Sequence, residues 1–132
     1  MEKPGTKRIL LVDDDQQLRN VLRIALEAAG YDCAEAQDGQ EARNLLMTGK
    51  SVALIVTDHQ MPRMTGLELV QWVRSQSTIS GIPILLYSGQ MADDLSQQAE
   101  RAGSTAVLAK PFLLQDLLGL VAQLISSPPS AQ

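Results

Sequence analysis

Apolar residues gather into five short runs, at positions 9–12, 31–36, 52–57, 84–87 and 105–109. Between and after these runs the apolar positions recur every three or four residues, a spacing that lines one face of a helix. The alternation predicts an α/β domain, with a parallel sheet and crossover helices on both of its faces. Four of the runs are almost wholly apolar, as strands covered on both sides must be. The second is interrupted by Asp32 and Glu35, which places it at a sheet edge where part of it meets water.

Helix boundaries follow from the polar positions. Leu18, Val21, Leu22, Ala25, Leu26 and Ala29 form one stripe that Gly30 ends. Asp38 with Glu41, and Thr65 with Glu68, have the spacing of a capping box, in which side chains satisfy the first free N–H groups of a helix. Gly49 and Gly103 are expected to close two further helices in left-handed conformation. The last helix carries Leu114, Leu117, Leu118, Val121, Leu124 and Ile125, widened by Leu113 and Leu120. Such a stripe is expected chiefly to cover the core, and it leaves room for a homodimer contact.

Composition narrows the class. A chain of 132 residues has room for one domain with a real core, and an aromatic share of 3% makes that core aliphatic. Positions 1–7 read as an N-terminal extension, 8–126 as the domain, and the Ser- and Pro-rich 127–132 as a flexible tail or the start of a linker. A formal charge of −4 argues against a clustered basic footprint and hence against direct nucleic-acid binding. Cys33 is the single cysteine, so no intramolecular disulfide is possible, and it reads as a small apolar residue. With no apolar segment of about 18–20 residues and no apolar stretch after the charged start, the expectation is a cytoplasmic protein that does not insert into a membrane.

The candidate chemistry lies where the runs stop. Asp13 and Asp14 follow the first, Asp58 the third, Ser88 the fourth and Lys110 the fifth. In an open parallel sheet the carboxyl ends of the strands border the ligand crevice, so these residues should converge there. Three carboxylates at close range favour a small divalent cation, and an oxygen-only donor set points to magnesium. A lysine and a hydroxyl opposite suit a transferring phosphoryl group. Asp15 reads as a helix N-cap, and His59 as a solvent-facing loop histidine with no chemistry.

The pieces ILLVDDD at 9–15, TDHQMPRMTG at 57–66, LLYSG at 85–89 and AKPF at 109–112 together resemble the receiver domains of two-component response regulators, from position 9 to about 125. The resemblance implies a flavodoxin-like fold: five parallel strands in order 2-1-3-4-5 with five helices. It implies that Asp58 is the phosphoacceptor and that Asp13 and Asp14 position Mg2+, Asp14 directly and Asp13 through water. Asp58 and the backbone carbonyl of Gln60 would complete the protein ligands. Ser88 would move toward the phosphoryl group and Lys110 would pair with it. Pro111 would follow a cis peptide bond, and Gln60 and Gln90 would flank the water path to the acyl phosphate. The implied partners are a sensor histidine kinase or histidine phosphotransfer protein upstream, and an effector or linked output domain downstream. Such a domain assists only its own phosphorylation and dephosphorylation. One position departs from the family pattern, with Val107 where an aromatic ring usually switches rotamer. Tyr87 is no substitute, since it should point away from Ser88, so switching is expected to use backbone and packing shifts.

Two rival readings share parts of the pattern. A haloacid-dehalogenase-type phosphohydrolase would put the nucleophile in the first acidic cluster and needs a further acidic motif after the lysine, where only Asp116 stands. A flavin-binding relative of flavodoxin would present hydroxyls and N–H groups to a phosphate where this chain has three aspartates.

Overall fold

A computed structural model of the chain describes residues 7–89 and 94–126. Along the chain lie β1 (Arg8–Val12), α1 (Gln16–Ala28), β2 (Asp32–Ala36), α2 (Gly39–Leu46), β3 (Leu54–Asp58), α3 (Gly66–Ser75), β4 (Ile84–Ser88), α4 (Leu95–Ala102), β5 (Ala106–Ala109) and α5 (Leu114–Ser126). All four strand pairings are parallel, and the order across the sheet is β2-β1-β3-β4-β5. The α/β class and the strand order are those expected.

Strand alternation sends successive side chains to opposite faces, and the core divides accordingly. Ile9, Leu11, Leu54, Val56, Leu85 and Tyr87 pack with Leu22 and Leu26 of α1 and Leu117 and Val121 of α5. On the other face Leu10, Val12, Ile55 and Ile84 pack with Ala42 and Leu46 of α2 and Leu69, Val70 and Val73 of α3. The wide stripe of α5 is therefore mostly core, with Leu117 and Val121 fully buried, while Leu113 and Leu114 stay exposed.

The edge position of β2 has a local electrostatic basis. Asp32 pairs with Arg8 at 2.9 Å, and Glu35 holds Arg19 at 2.9 Å and Arg23 at 3.2 Å. Its two acids thus reach cations at the sheet margin that a central strand would deny them.

Caps terminate the helices largely as anticipated. Thr65 and Glu68 form the full capping box of α3. Asp38 accepts the Glu41 N–H at the start of α2, while the Glu41 carboxylate reaches the N–H of Gln37 rather than that of Asp38. Gly103 closes α4 with φ 108°. Gly49 also has a positive φ, 87°, but it does not cap α2, which already ends at Met47. It shapes the turn into β3 instead. Positions 1–6 of the expected 1–7 extension, and the tail at 127–132, lie outside the described residues.

Gly66 shows how tightly α3 is seated under the strand ends. A Cβ built there would lie 2.4 Å from Leu86 Cδ1, 2.6 Å from the Asp58 carbonyl oxygen and 2.8 Å from His59 Cα. Two of those three atoms are backbone and cannot rotate away. Gly66→Ala is expected to destabilise the fold by about 1–3 kcal/mol through overpacking. A urea unfolding midpoint unchanged from wild type would contradict this account of the packing.

Candidate functional site

Parallel register brings the strand ends level. Val12 is paired with Thr57, and Asp58 with Tyr87, so Asp13, Asp58 and Tyr87 follow one another across β1, β3 and β4. By the same alternation all three belong to the side of the sheet covered by α1 and α5. Asp13 is 1% exposed and Asp58 3%, whereas Asp14, the next residue in the loop, is exposed. One carboxylate oxygen from each of Asp13, Asp14 and Asp58 can be chosen so that all lie within 4.8 Å of one another.

Hydrogen bonds fix this cluster. Asp58 Oδ1 accepts the backbone N–H of Gln60 at 3.2 Å, and its other oxygen, Oδ2, faces Lys110 Nζ at 3.7 Å. Lys110 is carried at the end of β5, where its own N–H donates to the Ser88 carbonyl at 2.8 Å and the bond to Pro111 is cis. Asp13 Oδ1 accepts the Asp15 N–H at 2.8 Å, and Oδ2 accepts the Tyr87 hydroxyl. The Arg19 guanidinium donates to the Asp13 carbonyl while it holds Glu35. Ser88 is fully buried at the end of β4. Its hydroxyl points to Gln60 Oε1 at 3.4 Å, which also accepts the Gly89 N–H at 3.0 Å.

The pocket is electrostatically strained toward neutrality. Burial, followed by repulsion from Asp13, pushes the Asp58 carboxyl above the ordinary carboxylate range. Burial likewise raises Asp13, against the opposing pull of the Tyr87 hydroxyl. Tyr87 is itself driven upward by burial and by Asp13, so it remains a protonated donor. Excess anionic charge on hard oxygen donors at this spacing fits a small divalent cation such as Mg2+ and suits zinc poorly.

Asp13, Asp14, Asp58, Gln60, Ser88 and Lys110 are thus gathered at one edge of the sheet. Asp15 is the N-cap of α1, accepting N–H groups from Gln17 and Leu18. His59 differs from expectation: it is partly buried, its Nδ1 accepts the Leu67 N–H at 3.4 Å, and burial lowers its pKa. It supports the start of α3. Gln90 lies outside the described residues. Tyr87 and Arg19 are the members of the site that sequence reasoning missed. Alternation alone sends Tyr87 away from Ser88, but register sends it to Asp13, and register was not part of that reading.

The family model of the response regulator receiver domain matches residues 9–122, most of the chain. This chain belongs to the response regulator receiver domain family. It is 39% identical over 120 residues to response regulator MprA of Mycolicibacterium vanbaalenii, an alignment covering 89% of this chain and 50% of MprA. The chemotaxis protein CheY homolog of Campylobacter jejuni is 33% identical over 120 residues, covering 85% of this chain and 92% of that one. Among solved structures, the chemotaxis response regulator CheY4 of Vibrio cholerae superposes with a TM-score of 0.83 at 32% identity, over 91% of this receiver and 99% of that chain. The receiver spans about half the length of curated relatives such as MprA. No helix among the described residues is long and apolar enough to cross a membrane.

The raised carboxyls make a stability prediction. An acid whose folded pKa exceeds its unfolded value binds more protons when folded, so it lowers stability above that folded pKa. The deficit is relieved as pH falls through the folded pKa toward the unfolded value near 3.8. With divalent cations chelated, Asp58→Asn is expected to raise the melting temperature by a few degrees at neutral pH. Its advantage should shrink as the solution is acidified. A melting temperature at or below wild type at pH 7, with the fold intact by circular dichroism, would show that burial of the Asp58 charge is not the dominant effect.

Proposed function

We propose that the receiver is a phosphoacceptor switch, in which Asp58 takes a phosphoryl group from a phosphohistidine of a sensor kinase or histidine phosphotransfer protein. The observation that carries this reading is the division of labour on the Asp58 carboxylate. One oxygen is tied to the Gln60 N–H, and the other faces Lys110 across 3.7 Å within the acidic cluster. A fixed carboxylate oxygen with an amine beside it and acids opposite is arranged for in-line attack on phosphorus.

In the reaction the Asp58 oxygen forms the new bond to phosphorus while the phosphorus–nitrogen bond of the donor breaks. The electron pair leaves on the imidazole nitrogen, which takes up a proton. Asp14 and Asp58, with the backbone carbonyl of Gln60, would hold Mg2+, and Asp13 would act on it through water. Bound there, the ion would supply the positive charge that lets an anionic carboxylate meet an anionic phosphoryl group. Lys110 offsets charge on the phosphoryl oxygens, and Ser88 offers its hydroxyl after leaving Gln60. The acyl phosphate adds about −1.5 to −2 charges to the pocket, and drawing Ser88 inward biases the fold between two surfaces that a partner or a linked output domain can read. The machinery serves only the domain's own phosphorylation and dephosphorylation, and a cytoplasmic setting suits a cytoplasmic kinase as donor.

A protein donor is favoured by the apolar side chains that α1 and the head of α5 leave in solvent. Val21 is 51% exposed, Ile24 61% and Leu113 61%. The hydrolase alternative needs Asp13 as nucleophile, and both oxygens of Asp13 are already engaged by Asp15 and Tyr87. It also needs a further acid in the pocket beyond Lys110, and Asp116 lies in the first turn of α5.

Incubation with acetyl phosphate and Mg2+ is expected to add the mass of one phosphoryl group to the intact chain, and Asp58→Asn or chelation of the metal should abolish the gain. Lys110→Ala should slow phosphorylation by at least tenfold. An unmodified wild-type mass after prolonged incubation, or equal labelling of Asp58→Asn, would overturn the assignment.

A further inference from the structure

Tyr87 lies within the LLYSG piece at 85–89, yet the resemblance assigns it no role, and its side chain reaches three parts of the pocket. Its side chain is 1% exposed, and its hydroxyl donates to Asp13 Oδ2 at 2.5 Å. The ring meets Phe112 edge to face, with centroids 5.6 Å apart and planes at 64°. Lys110 Nζ stands 5.0 Å from the same ring centroid. One side chain therefore links the acid at the end of β1, the lysine at the end of β5 and the start of the segment leading into α5.

We propose that Tyr87 is a positioning residue for the cation site, holding the Asp13 carboxylate in a single orientation so that it acts on the metal from behind Asp14 and Asp58. The proposal rests on the magnesium-binding reading above and adds a residue to it.

The argument is geometric. A carboxylate at a strand end can rotate about two side-chain bonds, and a cation could draw it into direct coordination in several ways. Here the Asp15 N–H occupies Oδ1 and the Tyr87 hydroxyl occupies Oδ2, which fixes both rotations before any metal arrives. Neither donor can easily yield. The first belongs to the backbone of the β1–α1 turn, and the second stands on a ring locked between core side chains and Phe112. Partners that orient carboxylates and imidazoles around a metal are commonly worth 10–100-fold in affinity. Tyr87 stands in that relation to Asp13. The aromatic character of position 87 also gives Lys110 a ring face to rest against, so the same residue backs both the acidic and the basic side of Asp58.

Tyr87→Phe removes the hydroxyl and keeps the ring, with its contacts to Phe112 and Lys110. Binding of Mn2+, followed by electron paramagnetic resonance of the free ion, should weaken by roughly 10-fold in this variant. In an Asp13→Asn background the same change should have little further effect, because a residue acting through Asp13 loses its lever when Asp13 is altered. Equal Mn2+ affinity in wild type and Tyr87→Phe would overturn the proposal, as would a loss of the same size in the Asp13→Asn background. Failure of wild type itself to take up Mn2+ would instead remove the metal-binding reading, and the proposal with it.

A readout without substitution guards against a variant that does not fold. The chain has two tyrosines, Tyr31 and Tyr87, so fluorotyrosine labelling gives two fluorine resonances. Saturation with Mg2+ should shift that of Tyr87 and leave that of Tyr31, at the far end of β2, in place. Resonances that both stay fixed at saturation would also overturn the proposal.

Discussion

Parallel pairing in matched register is the constraint from which the site follows. Val12 opposite Thr57, Asp58 opposite Tyr87 and Ser88 opposite Ala109 make four strands end together. Residues separated by as many as 97 positions, Asp13 and Lys110, are thereby brought to one edge with no local sequence contact between them. The apolar interiors of the strands hold that register, since sliding a strand by one residue would exchange its two faces and carry each side chain into the opposite core, whose packing it does not fit. Burial of Leu10, Ile55 and Ile84 on one face and of Leu11, Val56 and Leu85 on the other is thus what aims the polar ends.

The price of that alignment is electrostatic. Asp13 and Asp58 are almost wholly buried side by side, and burial raises the pKa of both. A fold selected only for stability would replace them with neutral groups, because an unpaired buried charge is costly. Several donors soften the cost without removing it. Asp15 and Tyr87 serve Asp13, Gln60 serves Asp58, and Lys110 stands at 3.7 Å from Asp58, beyond the reach of a short ion pair. What remains is a pocket with an excess of buried anionic charge on three closely spaced acids, the chemistry that suits a small divalent cation.

Much of this was legible in the amino-acid sequence, for identifiable reasons. Parallel strands buried on both faces read as unbroken apolar runs, so the class, the number of strands and the residues at their ends could be read directly. The edge position of β2 was visible in Asp32 and Glu35, whose partners Arg8, Arg19 and Arg23 only the fold could supply. Capping signals at Thr65 and Glu68 are local and survived intact. Gly49 shows the limit of local signals: its left-handed backbone was foreseeable, but whether it closes a helix depends on where α2 stops packing, and that is at Met47. Contacts that need register or helix placement were out of reach. Nothing in the vicinity of Arg19 announces that its guanidinium will bridge Glu35 of β2 and the carbonyl of Asp13.

Tyr87 and Ser88 show what alternation does at the site itself. As neighbours on β4 they face opposite sides of the sheet: Tyr87 joins the core beneath α1 and α5, and Ser88 turns to Gln60 in the loop that leads to α3. Asp58 stands opposite Tyr87 in the adjoining strand, one oxygen toward the Gln60 N–H and the other toward Lys110, which rests near the Tyr87 ring. The pocket therefore draws on both sides of the sheet: Tyr87 lies in the core beneath α1 and α5, Ser88 faces the other way, and a displacement of Asp58 would press on both. Close-packed interiors transmit such displacements instead of absorbing them. Gln60 and Lys110, which both meet Asp58, stand in the segments that lead into α3 and α5, so helices on opposite faces of the sheet are tied to one carboxylate.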